Sequence, residues 1–177
     1  MKNNLFFILL VSFLVSCSTS QPRRPIHLKP STTIFQGNIK AIKKIFQLEE
    51  AKILKFIKKD SLNSYISSSK GFWYTYKNKV EAKLATPKPG NIVELSYDIR
   101  DLNDSILYTK EALGLKNYKV DKEDFISGIQ KGIKLMKVGE TITFVIPSYN
   151  AFGISGDGNK IGINKTIKST VTLLNIK

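Results

Sequence analysis

Between about Asn38 and Asp60, apolar residues recur at the spacing of one helix face. Steps of four, three, four, seven and four residues separate the members of this series, which are Phe35, Ile39, Ile42, Phe46, Ile53 and Ile57. Lys occupies the intervening face, and Glu49 stands three positions before Lys52. We expect Glu49 and Glu50 to form ion pairs with lysines of the helix. The pattern predicts an amphipathic helix of about 20 residues, with a further helical turn reaching Ile66. Its apolar stripe must be covered by its own domain, a second copy of the chain or a client protein.

After Gly71 the pattern becomes that of strands. Alternation at period two places four apolar side chains of one segment on a buried face; they are Val93, Leu95, Tyr97 and Ile99. Further strands are predicted at 72–76, 106–109, 116–120, 140–147 and 166–176, and a helix is predicted from Phe125 to Met136. This succession indicates an α+β fold, an antiparallel sheet of about five strands with one helix, preceded by the amphipathic N-terminal helix.

The N-terminus has the pattern of an export signal. Lys2 precedes an apolar run from Leu5 to Val15, which as a helix would span about 16 Å, roughly half of a bilayer's hydrocarbon core. Such a run is typical of a signal peptide rather than a membrane span. The following Cys17 completes a segment that resembles the bacterial lipobox, and the resemblance implies lipidation of Cys17 and attachment to a membrane.

Four segments are therefore predicted. Residues 1–16 are a signal peptide, and 17–37, which contain three Pro, are a lipid-anchored tether. Residues 38–68 are an amphipathic helical extension, and 71–177 are the folded domain.

Composition excludes much catalytic chemistry. The 177 residues contain one Cys and one His, and both lie ahead of the predicted helix, at Cys17 and His27. Catalysis in the folded domain must therefore proceed without a Cys or His nucleophile or base. Metal sites that depend on those ligands are excluded too, and we expect no metal and no cofactor.

The chain is strongly basic, with a formal net charge of +14. Residues 18–60 carry ten basic and three acidic side chains, so the part nearest the predicted anchor is the most basic. In an exported protein this charge favours anionic envelope surfaces or acidic polypeptides as partners, and we expect no nucleic acid.

Three segments of the folded domain resemble the FKBP-type peptidyl-prolyl isomerases. The stretch from Phe125 to Glu140 is similar to that family's signature, which ends in Met-x-x-Gly-Glu. Residues 87–97 are similar to its turn and the strand with its pocket Tyr, and 146–153 are similar to its Ile-Pro-x-x-x-Ala-Tyr-Gly segment. With the closing strand at 170–174, the resemblance covers about 107 residues in the same order and implies the FKBP-like fold and prolyl isomerisation.

The resemblance also implies a site. Its walls are Tyr97, Leu107 and Tyr118, and its floor is Ile129. Phe125 and Ile126 stand at the rim, where the Ile126 amide offers a hydrogen-bond donor. The far side consists of Phe152 and Ile161.

Several positions depart from the family pattern. Leu107-Tyr108 stands where Phe-Asp is common, so the carboxylate beside the pocket is missing. Ile129 replaces a frequent Trp, Phe152 replaces a Tyr and its hydroxyl, and Ser169 falls where a Phe is usual. The pocket stays apolar or neutral, but its transition-state stabilisation is weakened. Two interpretations remain: an isomerase that speeds the folding of exported proteins, or an isomerase-like module that holds clients with little turnover.

The tether, the helix, the segment 71–74 and the glycine-rich segment 156–162 together resemble a narrower group, the isomerase-like lipoproteins of gliding motility. That resemblance implies proline-containing exported polypeptides as partners and a motility or secretion apparatus as the setting. The position after Cys17 is Ser and not Asp, which by resemblance to common sorting rules favours the outer membrane and its periplasmic side. The N-terminal helix offers a surface for a homodimer.

Overall fold

The computed structural model describes residues 32–177, with side-chain surroundings from residue 38 onward. The predicted signal peptide, Cys17 and the tether up to residue 31 lie outside the described residues. Ala41–Lys177 forms one compact unit, and the packing below lies within it. Among the described helices, none has the length and apolar character needed to cross a bilayer.

The first helix, α1, spans Thr32–Lys59. It contains the predicted amphipathic segment and begins six residues before its expected start at Asn38. The predicted further turn through Ile66 is wrong, because Ile66 belongs to the first strand, where it is paired with Tyr74. Short polar segments such as 60–65 carry too few apolar positions to distinguish a last helical turn from a connection.

Eight strands form one antiparallel sheet. They are β1 (Ile66–Ser68), β2 (Phe72–Asn78), β3 (Ile92–Tyr97), β4 (Ile99–Arg100), β5 (Ile106–Tyr108), β6 (Lys116–Lys119), β7 (Thr141–Ile146) and β8 (Ile167–Ile176). The main order is β1-β2-β7-β8-β3-β6, and β4 pairs with both β5 and β8. The α+β class and the antiparallel sheet are confirmed. The strand number exceeds the predicted five because β1, with three residues, is too short to show an alternating pattern, and because the predicted strand through Ile99 is divided into β3 and β4. The predicted strand at 106–109 corresponds to β5.

The remaining helices are short. They are α2 (Lys110–Leu113) and α3 (Ser127–Gly132), and 3₁₀ turns cover Ile133–Leu135 and Ser148–Asn150. Helix α3 is shorter than the predicted 125–136, since Ile126 is extended (φ −59°, ψ 115°) and the chain tightens into a 3₁₀ turn after Gly132.

Two glycines let α3 lie close against β7. A Cβ at Gly128 would stand 2.4 Å from Ile146 Cγ2, and one at Gly132 would stand 2.5 Å from Phe144 Cε1. Both distances are far below van der Waals contact, so any side chain would push the helix away from the sheet. This approach buries Ile129 completely.

The core lies between α3 and one face of the sheet. Val93, Leu95, Tyr97 and Ile99 are all buried, which confirms the predicted inward face of β3 and its continuation. From β7 the core receives Ile142, Phe144 and Ile146.

Helix α1 packs on the opposite face of the sheet through a small part of its stripe. Ile53 is fully buried, and Glu49 is 7% exposed. Both Glu49 oxygens accept hydrogen bonds from Ser148, from its amide at 2.7 Å and its hydroxyl at 2.8 Å, and Thr166 Oγ1 donates at 2.6 Å. The ion pairs predicted for Glu49 and Glu50 with helix lysines do not form among the described residues. The domain itself therefore covers this part of the stripe.

Candidate functional site

Three aromatic side chains meet at one edge of the core, where Phe125 is half-buried and Tyr97 and Tyr118 are buried. The Phe125 ring lies 5.3 Å from the Tyr97 ring, edge to face, and 5.5 Å from the Tyr118 ring. Tyr97 extends from β3 and Tyr118 from β6, which are paired neighbours, so the sheet fixes the spacing of the two rings. The structure thus brings three of the predicted site residues together as an aromatic corner.

The entrance to α3 completes the corner. Ile126 is half-buried and caps the helix, and its carbonyl accepts the Gln130 amide at 2.9 Å. Its own amide makes no hydrogen bond with another residue of the described part of the chain. Ile129, one turn later, is fully buried beneath. The predicted floor and the predicted donor are therefore carried by the same short helix.

The far side of the site comes from two loops. Ile161 is 2% exposed and belongs to the core, while Leu107 and Phe152 are half-buried against it. All eight predicted pocket residues thus belong to one core or pack against it, and Ile161 and Ile129 contribute to its interior.

The glycine-rich segment after Phe152 is ordered by the carboxylate of Asp157, whose role no pattern in the sequence indicates. Asp157 Oδ1 accepts the amides of Asn159 at 2.9 Å and Ile161 at 2.7 Å. Its other oxygen accepts the hydroxyl of Tyr108. The Lys160 ammonium lies 5.0 Å from the centroid of the Tyr108 ring.

This arrangement changes one expectation from the sequence. Because Tyr108 stands where the family usually has Asp, β5 carries no carboxylate beside the pocket. The glycine-rich loop supplies one instead, since Asp157 accepts a hydrogen bond from the Tyr108 hydroxyl. Two residues that lie 49 positions apart produce no local sequence pattern, so their contact could not be predicted. The Gly-Asp-Gly triplet of the loop predicts only a tight turn.

The ionisable groups of the site keep fixed charge states. Burial raises the pKa of Tyr97, and the hydrogen bond to Asp157 raises the pKa of Tyr108. Partial burial of the Asp157 carboxyl acts to raise its pKa, but the hydrogen bonds from Tyr108 and the loop amides outweigh that effect and lower it. The tyrosines therefore stay neutral and Asp157 stays ionised around neutral pH.

Within residues 32–177 no group of His, Cys, Asp and Glu is placed to hold a metal ion. The site offers half-buried aromatic and aliphatic side chains over a buried core, an amide at its rim that has no partner among the described residues, and a neutral hydroxyl that donates to the loop. Such a surface can bind an apolar ring and accommodate a twisting amide without proton transfer.

Comparison with known proteins gives the same assignment. The sequence model of the family described as "FKBP-type peptidyl-prolyl cis-trans isomerase" matches residues 84–174, about half of the chain. A protein of Neisseria meningitidis serogroup B, described as "Probable FKBP-type peptidyl-prolyl cis-trans isomerase FkpA", is 29% identical over 122 residues. That match covers 68% of this chain and 44% of the relative, so the chain spans less than half of the relative's length.

Two solved structures share the fold. The crystal structure of FkpA from Escherichia coli is 24% identical, with a TM-score of 0.60 over 100% of this chain and 82% of that one. A peptidyl-prolyl cis-trans isomerase from Pseudomonas syringae pv. tomato is 19% identical, also with a TM-score of 0.60, over 73% of this chain and 92% of that one. The predicted FKBP-like fold is confirmed.

Proposed function

Because the chain belongs to the FKBP-type peptidyl-prolyl cis-trans isomerase family, we propose that it isomerises X–Pro bonds in exported envelope proteins while anchored to a membrane. The observation that carries the catalytic part is the aromatic corner of Tyr97, Tyr118 and Phe125 beside the unpaired Ile126 amide. A prolyl ring would lie against the half-buried Phe125 and Ile126, above the buried Tyr97 and Ile129, with its carbonyl directed to that amide.

The chemistry requires no nucleophile. Rotation about an X–Pro amide breaks its resonance against a barrier of about 18–20 kcal/mol and takes tens to hundreds of seconds unaided. The twisted amide is less dipolar than the planar one, so a water-poor aromatic surface favours the transition state over the ground state. A donor at the rim holds the displaced carbonyl. These demands match a domain whose described residues contain no His and no Cys.

A second candidate is a holding module with little turnover. Phe152 has no hydroxyl to offer, and the Tyr108 hydroxyl is already committed to Asp157. A site with fewer free donors binds prolyl segments while stabilising the twisted amide less.

Cis-to-trans isomerisation of short X–Pro peptides by the purified protein separates the two candidates. We expect Ile126→Asp to lower kcat/KM by ~100-fold, about 2.7 kcal/mol of transition-state stabilisation, because a carboxylate at the rim disfavours an apolar ring. Ile106→Asp is the matched control, since Ile106 is 52% exposed on β5. Turnover that persists in Ile126→Asp would show that the prolyl site lies elsewhere. A folded wild-type protein without turnover would favour the holding module.

The setting is proposed from the sequence. An export signal followed by Cys17 supports a lipoprotein, and the lack of Asp after Cys17 supports the periplasmic side of the outer membrane. The likeness of the tether, helix and loop to gliding-motility lipoproteins supports clients of a motility or secretion apparatus. Exposed apolar residues on α1, among them Ile42 and Leu48, offer a contact surface for a homodimer.

A further inference from the structure

A second concave surface lies on the face of the sheet turned away from the core. Thr143 stands between the core residues Ile142 and Phe144 in β7, so its side chain points to the opposite face. There the second half of α1, the β4–β5 loop and the segment leading into β8 enclose a cleft of ≈ 1300 Å³ with Thr143 in its lining. None of the eight predicted prolyl-site residues lines this cleft.

The acidic side chains of the cleft are already satisfied. Glu49 accepts three hydrogen bonds from Ser148 and Thr166, and Asp104 is paired with Lys168. The other two, Asp60 and Asp101, accept hydrogen bonds from their own turns.

The basic side chains are not balanced in the same way. Seven Lys and Arg side chains line the cleft against four Asp and Glu. Four of them, Lys52, Lys55, Lys59 and Lys165, are exposed and form neither an ion pair nor a side-chain hydrogen bond within the described chain, whereas Lys77 donates to Asn63. Three stand on α1 and one faces them from the segment before β8, so the cleft carries uncompensated positive charge from both sides.

Between these lysines the lining is apolar and hydroxylic. Phe56 is half-buried against the Tyr65 ring at 5.9 Å, and Leu62 and Ile163 are 94% and 63% exposed. Thr143 and Thr170 share a hydrogen bond of 2.9 Å between their hydroxyls. Pockets for single small molecules measure about 300–1,000 Å³, so this larger cleft suits a segment of polypeptide better.

From this complementarity we propose that the cleft binds an unfolded polypeptide segment in which acidic and apolar side chains are mixed. Acidic groups pair with the free lysines, and apolar groups contact Phe56, Leu62 and Ile163. The chain thereby has a client-binding site that needs no proline and is separate from the isomerase site. The inference is independent of the proposed function, since the two surfaces share no predicted site residue.

The test uses a fluorescent, proline-free peptide of alternating Glu and Leu and the purified protein, with binding read by anisotropy. We expect Lys52→Glu/Lys55→Glu to raise Kd at least tenfold, because the reversed charges repel the peptide. Lys44→Glu/Lys58→Glu is the matched control, since it makes the same charge change on α1 at two exposed positions outside the cleft. Lys165→Glu, on the opposite wall, repeats the test without altering the helix.

Two readouts separate this site from the prolyl site. Ile126→Asp should bind the peptide normally, whereas Lys52→Glu/Lys55→Glu should keep its rate of X–Pro isomerisation. Binding that is equal in the cleft and control variants, or as tight to a Lys-Leu peptide, would overturn the proposal. The proposal would also be overturned if the same lysines were required for binding to anionic vesicles but not to the peptide, because the surface would then be a membrane contact.

Discussion

Tyr108 and Asp157 show how single side chains reshape the edge of the prolyl site. The tyrosine hydroxyl donates to Asp157, whose other oxygen holds the amides of Asn159 and Ile161. Gly156 precedes this carboxylate at φ +66°, and a Cβ there would stand 2.3 Å from the Ile161 carbonyl oxygen. Only glycine fits that position. The loop beside the site is thus ordered by its own hydrogen bonds and by one bond to β5.

The charge states of these residues predict a flat pH profile for isomerisation. The pKa values of Tyr97 and Tyr108 are raised above the ordinary tyrosine value, and that of Asp157 is lowered below the ordinary aspartate value. None of the three groups changes charge between pH 6 and 8, where their ordinary pKa values of about 10 and 3.9 are already distant. We therefore expect kcat/KM to stay constant over that interval when measured in buffers of equal ionic strength.

Tyr108→Phe tests whether the Tyr108 hydroxyl contributes to the pH dependence of isomerisation. It removes the hydroxyl but no charge, so the profile should remain flat even where the rate changes. A sigmoidal or bell-shaped profile in the wild type would show an acid–base step that this site does not contain.

Among the elements, α1 shows a division of its apolar stripe. Ile53 is fully buried, whereas Ile42 and Phe46 of the same stripe are 48% and 39% exposed. A helix pattern reports which residues share a face but not how much of that face finds a partner. The buried carboxylate of Glu49 is what ties the helix to the 3₁₀ turn at Ser148 and the start of β8.

Glu49→Ala should destabilise the domain by about 2–3 kcal/mol. The change leaves the buried Ser148 amide and hydroxyl without an acceptor, and an unsatisfied buried donor costs about 1–3 kcal/mol. Urea unfolding followed by tryptophan fluorescence measures the free energy of unfolding. Glu50→Ala is the matched control on the adjacent, exposed position, with an expected change within about 0.5 kcal/mol. Equal losses in the two variants would contradict a docking role for Glu49.

At the scale of the whole molecule, the two proposed binding sites lie on opposite faces of the sheet. The aromatic corner lies at the core side of the sheet, and the basic cleft lies on the other face, under α1. A client that binds the cleft through acidic and apolar side chains would be retained near the domain while its X–Pro bonds reach the prolyl site. Such retention raises the local concentration of substrate without any change in the isomerase site.

Anchoring is tested at Cys17. We expect the wild-type protein to incorporate labelled palmitate and to fractionate with membranes, because several acyl chains give stable attachment where one does not. Cys17→Ser should lose the label and move to the soluble fraction. Ser20→Ala, three residues on, is the control and should behave as wild type. A Cys17→Ser protein that stays with the membranes would contradict lipid anchoring as the means of attachment.

The sequence by itself determined the fold class, the family and the buried face of β3. Each of these depends on periodicity or on spacing within a short segment, and such patterns can be recognised without knowledge of the rest of the chain. Val93, Leu95, Tyr97 and Ile99 are buried for that reason. The placement of Tyr97, Phe125 and Ile129 about one site likewise follows from a family resemblance carried by short motifs.

Only the tertiary structure decided which distant side chains meet. Lys52 stands three positions after Glu49 in the sequence, yet Glu49 bonds to Ser148, 99 positions away. Tyr108 likewise bonds to Asp157, 49 positions away. The cleft is likewise assembled from the helix, one loop and the approach to β8. Periodicity tells which face of an element is buried, but the partner of a polar group depends on which elements the folded sheet brings together. The prolyl site could therefore be proposed from the sequence, whereas the basic cleft could not.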